Sequence, residues 1–194
     1  MTTHPADRPR TSVFIATSVD GFIAKPDGGL EWLTGQPDDE NDGQLDPGQD
    51  FGYGEFFASV DALVMGRATF DVVQGFAGDW PYGDKPIYVW TSHPDDVEAK
   101  PGAVLHPVSG SLDELVDRLV ADGIGHVYVD GGRVIRQFLT ARLIDRMVIS
   151  TPPILIGAGI PLFADIEMDD VRLELVACEA FDGGMVQRTY DVVR

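Results

Sequence analysis

Gly125-His126-Val127-Tyr128-Val129-Asp130-Gly131-Gly132-Arg133-Val134-Ile135-Arg136-Gln137-Phe138-Leu139 is the stretch whose reading decides the fold. A β-branched and aromatic run meets two glycines, after which Val134, Ile135, Phe138 and Leu139 recur at helical spacing. The pattern predicts strand, tight turn and helix. The start of a helix offers unpaired N–H groups and a partial positive charge, and glycines let a pyrophosphate approach the backbone. A plain strand-to-helix turn that needs a positive φ explains the same residues, because a glycine pair lacks the spacing of a full dinucleotide fingerprint.

Working outward, the same grammar recurs. The continuous apolar run Ala62-Leu63-Val64-Met65 suits a strand covered on both faces. It ends at Gly66-Arg67-Ala68-Thr69-Phe70, with Phe70 and Val73 marking a helix face and Arg67 and Thr69 placed to meet an anion. Pro86-Ile87-Tyr88-Val89-Trp90 forms the next strand and stops at Thr91-Ser92-His93-Pro94. Ser111 and Glu114 make a capping box before Leu112, Leu115, Val116, Leu119 and Val120, which share a stripe, so a helix runs from Ser111 to Asp122. Upstream, Val13-Phe14-Ile15-Ala16 is a strand that Thr17 to Ala24 continues through a bend at Asp20-Gly21. Arg146 to Ser150 is a further strand. Arg172 to Glu179 and Met185 to Val193 form a terminal hairpin around Phe181-Asp182-Gly183-Gly184. Strands alternating with helices imply an α/β fold with a mostly parallel central sheet, closed by an antiparallel hairpin.

Between these elements, Thr34 to Asp50 is an acidic, glycine- and proline-rich connection with almost no apolar residue, either a lid beside a pocket or a solvated insertion. Phe51 to Ser59 is a short helix with Phe56 and Phe57 toward the core.

With 194 residues the chain suits a single domain, 11–194, preceded by a flexible arm, 1–10. Its 32 acidic residues against 14 basic ones, a net charge of −18, argue against nucleic acid and against anionic membranes. No apolar run approaches the roughly 18 residues of a spanning helix. The single cysteine, Cys178, lies in an apolar run and reads as a buried thiol, and its solitude fits a reducing cytoplasm. No metal site is expected, because the His/Cys spacing of a zinc centre is missing.

Strand ends carrying Gly-Arg-Ala-Thr, Thr-Ser and Asp-Gly-Gly-Arg in that order resemble the dihydrofolate reductase superfamily. Ser18-Val19-Asp20-Gly21-Phe22-Ile23-Ala24, Asp61 to Phe70, and Pro153 to Phe163 with its Ile156-Gly157-Ala158-Gly159 core narrow the resemblance. They are similar to the riboflavin-biosynthesis reductase branch, of the RibD C-terminal type. The resemblance implies a three-layer α/β/α, dihydrofolate reductase-like fold and an NADPH-dependent reductase. It assigns Gly66, Arg67, Ala68 and Thr69 to cofactor phosphate, with Arg67 on the 2′-phosphate and Thr91 and Ser92 beside it. Gly131, Gly132, Arg133 and Val134 would hold the pyrophosphate, next to Asp130, and Ala16, Ile23 and Ala24 would line the nicotinamide side. Each has an ordinary alternative: the arginines as surface charges, Ile23 as core.

Hydride transfer also needs a proton. In dihydrofolate reductases the acid lies early on the helix after the lid, which maps to Asp50 and Glu55, although Asp50 also reads as a helix cap. Asp20 is a turn residue or a substrate contact, and Trp32, Tyr53 and Trp80 are pocket walls or core. Asp130 stands where dihydrofolate reductases tend to carry another glycine, as is usual in the riboflavin branch, so the resemblance favours folate less among small pteridine- or pyrimidine-like substrates, with dihydrofolate reductase-like activity still an alternative. Phosphoribosylaminouracil is one such substrate, yet none of Lys25, Lys85 and Lys100 sits in a matching motif for its phosphate. Two further readings share the fold: a scaffold without turnover, and a flavin or nucleotide sensor. The resemblance also implies a homodimer, with Pro152 to Ile156 covering a strand edge or meeting a second subunit.

Overall fold

The computed structural model describes residues 8–34, 49–76, 78–98, 101–164 and 170–193. In chain order the strands are β1 (Arg10–Ala16), β2 (Phe22–Ala24), β3 (Ala62–Gly66), β4 (Ile87–Trp90), β5 (Leu105–Val108), β6 (His126–Asp130), β7 (Arg146–Thr151), β8 (Ile160–Pro161), β9 (Arg172–Ala180) and β10 (Val186–Val193). The helices are α1 (Glu31–Thr34), α2 (Tyr53–Ser59), α3 (Arg67–Gln74), α4 (Leu112–Ala121) and α5 (Gly132–Thr140). Eight strands form one sheet in the order β5-β4-β3-β6-β1-β7-β10-β9. Its members are parallel up to β7, and β10 and β9 close it antiparallel.

Layering follows from side-chain alternation. In β3, Ala62 and Val64 join the core under α4 and α5, while Leu63 and Met65 join the core under α2 and α3. All four are fully buried, as a strand covered on both faces requires. On the first face Leu115 and Leu119 of α4 meet Ile135 and Phe138 of α5. The capping box of α4 is closed: the Ser111 N–H donates to Glu114 Oε2 at 2.7 Å and the Glu114 N–H to Ser111 Oγ at 3.2 Å. These bonds hold the Glu114 carboxyl below its usual range.

Several expectations are corrected. Thr17 to Ala24 does not continue β1: Gly21, at φ 85°, turns the chain out of the sheet, and β2 pairs with β8 instead. The short strand β5, absent from the sequence reading, lies at the sheet edge, where Pro107 is tolerated because no neighbour needs its missing N–H. Helix α2 starts at Tyr53, two residues late, because Phe51 and Gly52 sit at φ 51° and 78°. Val120, expected on the buried stripe, is 45% exposed. Cys178 is exposed as well, on β9, the other sheet edge, where Leu173, Leu175 and Val176 also face outward. The acidic connection falls largely on 35–48, outside the described residues. Among the described residues no helix is long and apolar enough to cross a membrane.

The end of the expected arm is docked. The Arg8 guanidinium donates both to Asp145 Oδ1 at 2.8 Å and to Oδ2 at 3.0 Å, and the Thr11 N–H donates to the same carboxylate. Only 6% of the Arg8 side chain is exposed, so loss of its carboxylate leaves a charge buried without its partner. Asp145→Ala is expected to lower the unfolding free energy by about 2–4 kcal/mol. Urea titration checks this, and a change below about 1 kcal/mol would mean that the pair is worth no more than an exposed one.

Candidate functional site

Two central strands part at their carboxyl ends. β1 pairs with β6 only from Arg10↔His126 to Ser12↔Tyr128, yet β1 stays on β7 as far as Ala16↔Ser150 and β6 stays on β3 as far as Met65↔Asp130. The connections explain the gap. From β1 the chain passes to β3 by way of α2 on one face, and from β6 it passes to β7 by way of α5 on the other. Such a topological switch leaves a crevice outside the strand ends. Beyond the last pair, the Tyr128 hydroxyl donates to the Phe14 carbonyl at 2.7 Å.

Beside this parting lies a cleft of about 590 Å³. It brings together Gly66, Arg67, Ala68 and Thr69 from the β3–α3 junction, Thr91 and Ser92 from the end of β4, and Gly131, Arg133 and Val134 from the β6–α5 junction. Asp71, Trp90, Gly110 and Gln137 complete the lining and were not singled out from sequence. Gln137 was legible in principle, being one helical turn beyond Arg133 on the same face of α5. Trp90 is held by its indole N–H, which donates to the Gly110 carbonyl at 3.0 Å.

Packing and conformation both demand the glycines. Gly131 has φ 85°, and a Cβ there would collide with the Thr69 side chain. A Cβ on Gly132 would come within 2.7 Å of Ile23 Cδ1. The two junctions therefore approach each other closely. Neither α3 nor α5 has a side-chain cap at its N-terminus, so unpaired N–H groups of both helices are available at the cleft. A cradle of this form fits the phosphates of a dinucleotide.

The polar groups of the cleft are not equally free. Arg67 Nε donates to Asp71 Oδ1 at 2.6 Å and Nη1 to the Asp96 carbonyl at 2.9 Å. Thr91 Oγ1 accepts from the His93 N–H, and Ser92 Oγ lies 2.9 Å from His93 Nδ1. Arg133 is exposed and makes no ion pair among the described residues.

Residues expected on the nicotinamide side sit apart from this cleft. Ala16 ends β1 at the parting, Ile23 packs beneath Gly132, and Ala24 is buried. Gly132 and Asp130 do not line the cleft either. The Asp130 carboxyl follows Tyr128 on its face of β6, accepts the Gly131 N–H at 2.8 Å, and is pushed up to about 6 by burial. Tyr53, Tyr82 and Tyr128 are raised by burial and further by its charge. A half-buried acid among phenols is thus the group in this region best suited to hold a proton.

The two carboxyls expected to supply that proton are differently placed. Asp50 accepts from the Gly52 and Gly54 N–H groups, both at 3.0 Å, and these bonds hold it below the usual carboxylate range. It is an ionised brace at the start of α2. Glu55 is exposed in the first turn. Asp20 is a tether: its carboxylate accepts from Ile156 at 3.3 Å and Gly157 at 2.7 Å, tying the bend after β1 to the loop before β8. Trp80 is edge-on to Phe70 and Tyr82 in the core, and Tyr53 packs against Phe14 and Phe57. The Nε1 atoms of Trp32 and Trp80 are both buried without a hydrogen-bond partner among the described residues.

Known proteins share this fold. The Bacillus subtilis (strain 168) protein YwjB is 31% identical over 182 residues, which cover 93% of this chain and 97% of that one. A crystal structure described as a putative riboflavin biosynthesis protein from Shewanella sp. PV-4 superposes with a TM-score of 0.78 at 38% identity, covering 95% of this chain and 99% of that one. Dihydrofolate reductase from Enterococcus faecalis, solved with NADP(H), is similar in fold, with a TM-score of 0.61 at 18% identity over 95% and 97% of the two chains. The family model of the RibD C-terminal domain matches residues 9–187, and the chain belongs to that family.

Proposed function

We propose that this protein is an NADPH-dependent reductase acting on a small pteridine- or pyrimidine-like substrate, phosphoribosylaminouracil being one candidate. The observation that carries the reading is the convergence of three strand ends, two uncapped helix N-termini and Arg133 on one cleft next to the parting of β1 and β6. When bound, the nicotinamide cofactor supplies a hydride.

The rest is the work of this chain. The α5 N-terminus and Arg133 would hold the pyrophosphate, the first by backbone N–H groups and a partial positive charge, the second by charge-assisted bonds. Gly66 to Thr69 and Arg67, with Thr91 and Ser92, would hold the phosphate at the adenosine end. Ala16, at the end of β1, would border the nicotinamide. Asp130 would hold the proton delivered to the substrate, because its half-buried carboxyl titrates near 6 rather than near 4. A carboxyl raised in this way holds its proton closer to neutral pH than an ordinary one, as a general acid requires.

Titration of the full chain with NADPH is expected to show saturable binding that Arg133→Ala weakens by about tenfold or more. Absence of saturable binding to the wild-type chain would overturn the reading. With a reducible substrate in hand, kcat is expected to be high while Asp130 is protonated and to fall as pH rises through about 6. Asp130→Asn should remove that limb and lower kcat by about 100-fold; a profile unchanged in the variant would show that the proton comes from elsewhere.

A further inference from the structure

We infer that Asp71 limits how strongly this site favours NADPH over NADH; the inference rests on the nucleotide reading above and adds to it a residue that sets cofactor choice. Among the described residues, Arg67 and Arg133 are the two cationic side chains that line the cleft. They stand in opposite states. Arg133 makes no ion pair among the described residues, whereas Arg67 is engaged at Nε by Asp71 and at Nη1 by the Asp96 carbonyl, at 2.6 and 2.9 Å.

Asp71 is not a remote neighbour. It lies one turn after Arg67 on α3 and itself lines the cleft, so helical geometry keeps its carboxylate beside any group that Arg67 receives. The two cofactors differ only at the adenosine 2′ position, a phosphate in one and a hydroxyl in the other. A phosphate received by Arg67, whether at its remaining donors or in place of the carboxylate, lies next to that negative charge. A hydroxyl meets no such repulsion, and the carboxylate is an acceptor for its proton. Half of Asp71 and more than a third of Arg67 are in contact with solvent, so the pair is weak enough to open. The repulsion persists after it opens. Among the described residues no lysine lines the cleft to offset it.

The bland account of the same contact is an i,i+4 pair that steadies a surface helix. The two accounts part on cofactor preference. Dissociation constants for NADPH and NADH are to be measured by calorimetry on the full chain, for the wild type, Asp71→Asn and Asp71→Glu. Asp71→Asn is expected to tighten NADPH by about three- to tenfold and to move NADH by less than about twofold. Asp71→Glu, which keeps the charge, should return the NADH-to-NADPH ratio close to that of the wild type. The gap between wild type and Asp71→Asn should shrink as salt is added. If Asp71→Asn leaves NADPH binding unchanged, or shifts both cofactors equally, Asp71 is a helix-stabilising residue and this inference fails while the nucleotide reading stands. If neither cofactor binds the wild-type chain, the nucleotide reading falls first and takes the inference with it.

Discussion

The parting of β1 from β6 is the constraint on which the rest of the structure depends. Both strands are fully committed on their outer sides, to β7 and to β3, so neither can bend back without losing a ladder. Their connections leave on opposite faces, which draws α2 and α5 apart and places the α5 N-terminus at the mouth of the gap. Tight turns are then obligatory at Gly131 and Gly132, where any Cβ would meet Thr69 or Ile23. Phosphate-type geometry at the β6–α5 junction is in this sense a consequence of topology. Only glycine lets the junctions close up, and closing up brings the uncapped ends of α3 and α5 to one cleft.

Charge poses the second problem. A chain of net charge −18 repels a polyanion at long range, and the cleft itself contains Asp71. Attraction therefore has to be short-ranged and geometric. Backbone N–H groups provide it without adding formal charge, and Arg133 adds one cation that no acidic residue among the described ones neutralises. The proposed reductase would thus grip the cofactor more by its pyrophosphate than by its 2′ end. A different physical effect governs Asp130, since burial, and not a neighbouring charge, is what raises its carboxyl.

What could be read from sequence was what depends on neighbours in sequence. The strand–glycine–helix junctions at Gly66 and Gly131 and the capping box at Ser111 are local devices, and they form where expected. The order of layers followed from the apolar run of β3 and the helical stripe of α5. What depends on distant partners was not legible. Asp130 is buried close enough to Tyr53 and Tyr82, far away in the chain, for its charge to raise both, so no spacing rule marks its carboxyl as raised. Asp50 precedes α2 as the sequence suggested, but the Gly52 and Gly54 N–H groups that stabilise its charge depend on a backbone geometry that spacing does not reveal. Cys178 and Val120 look buried by hydropathy alone; their exposure reflects where β9 and α4 end up, one at the sheet edge and the other on the outer layer.

The most direct test of this account is a crystal structure of the chain with bound NADPH. The account predicts the pyrophosphate against Gly131 to Val134 and the nicotinamide ring in the gap between the carboxyl ends of β1 and β6. A cofactor bound away from the α5 N-terminus, or a nicotinamide ring excluded from that gap, would contradict it.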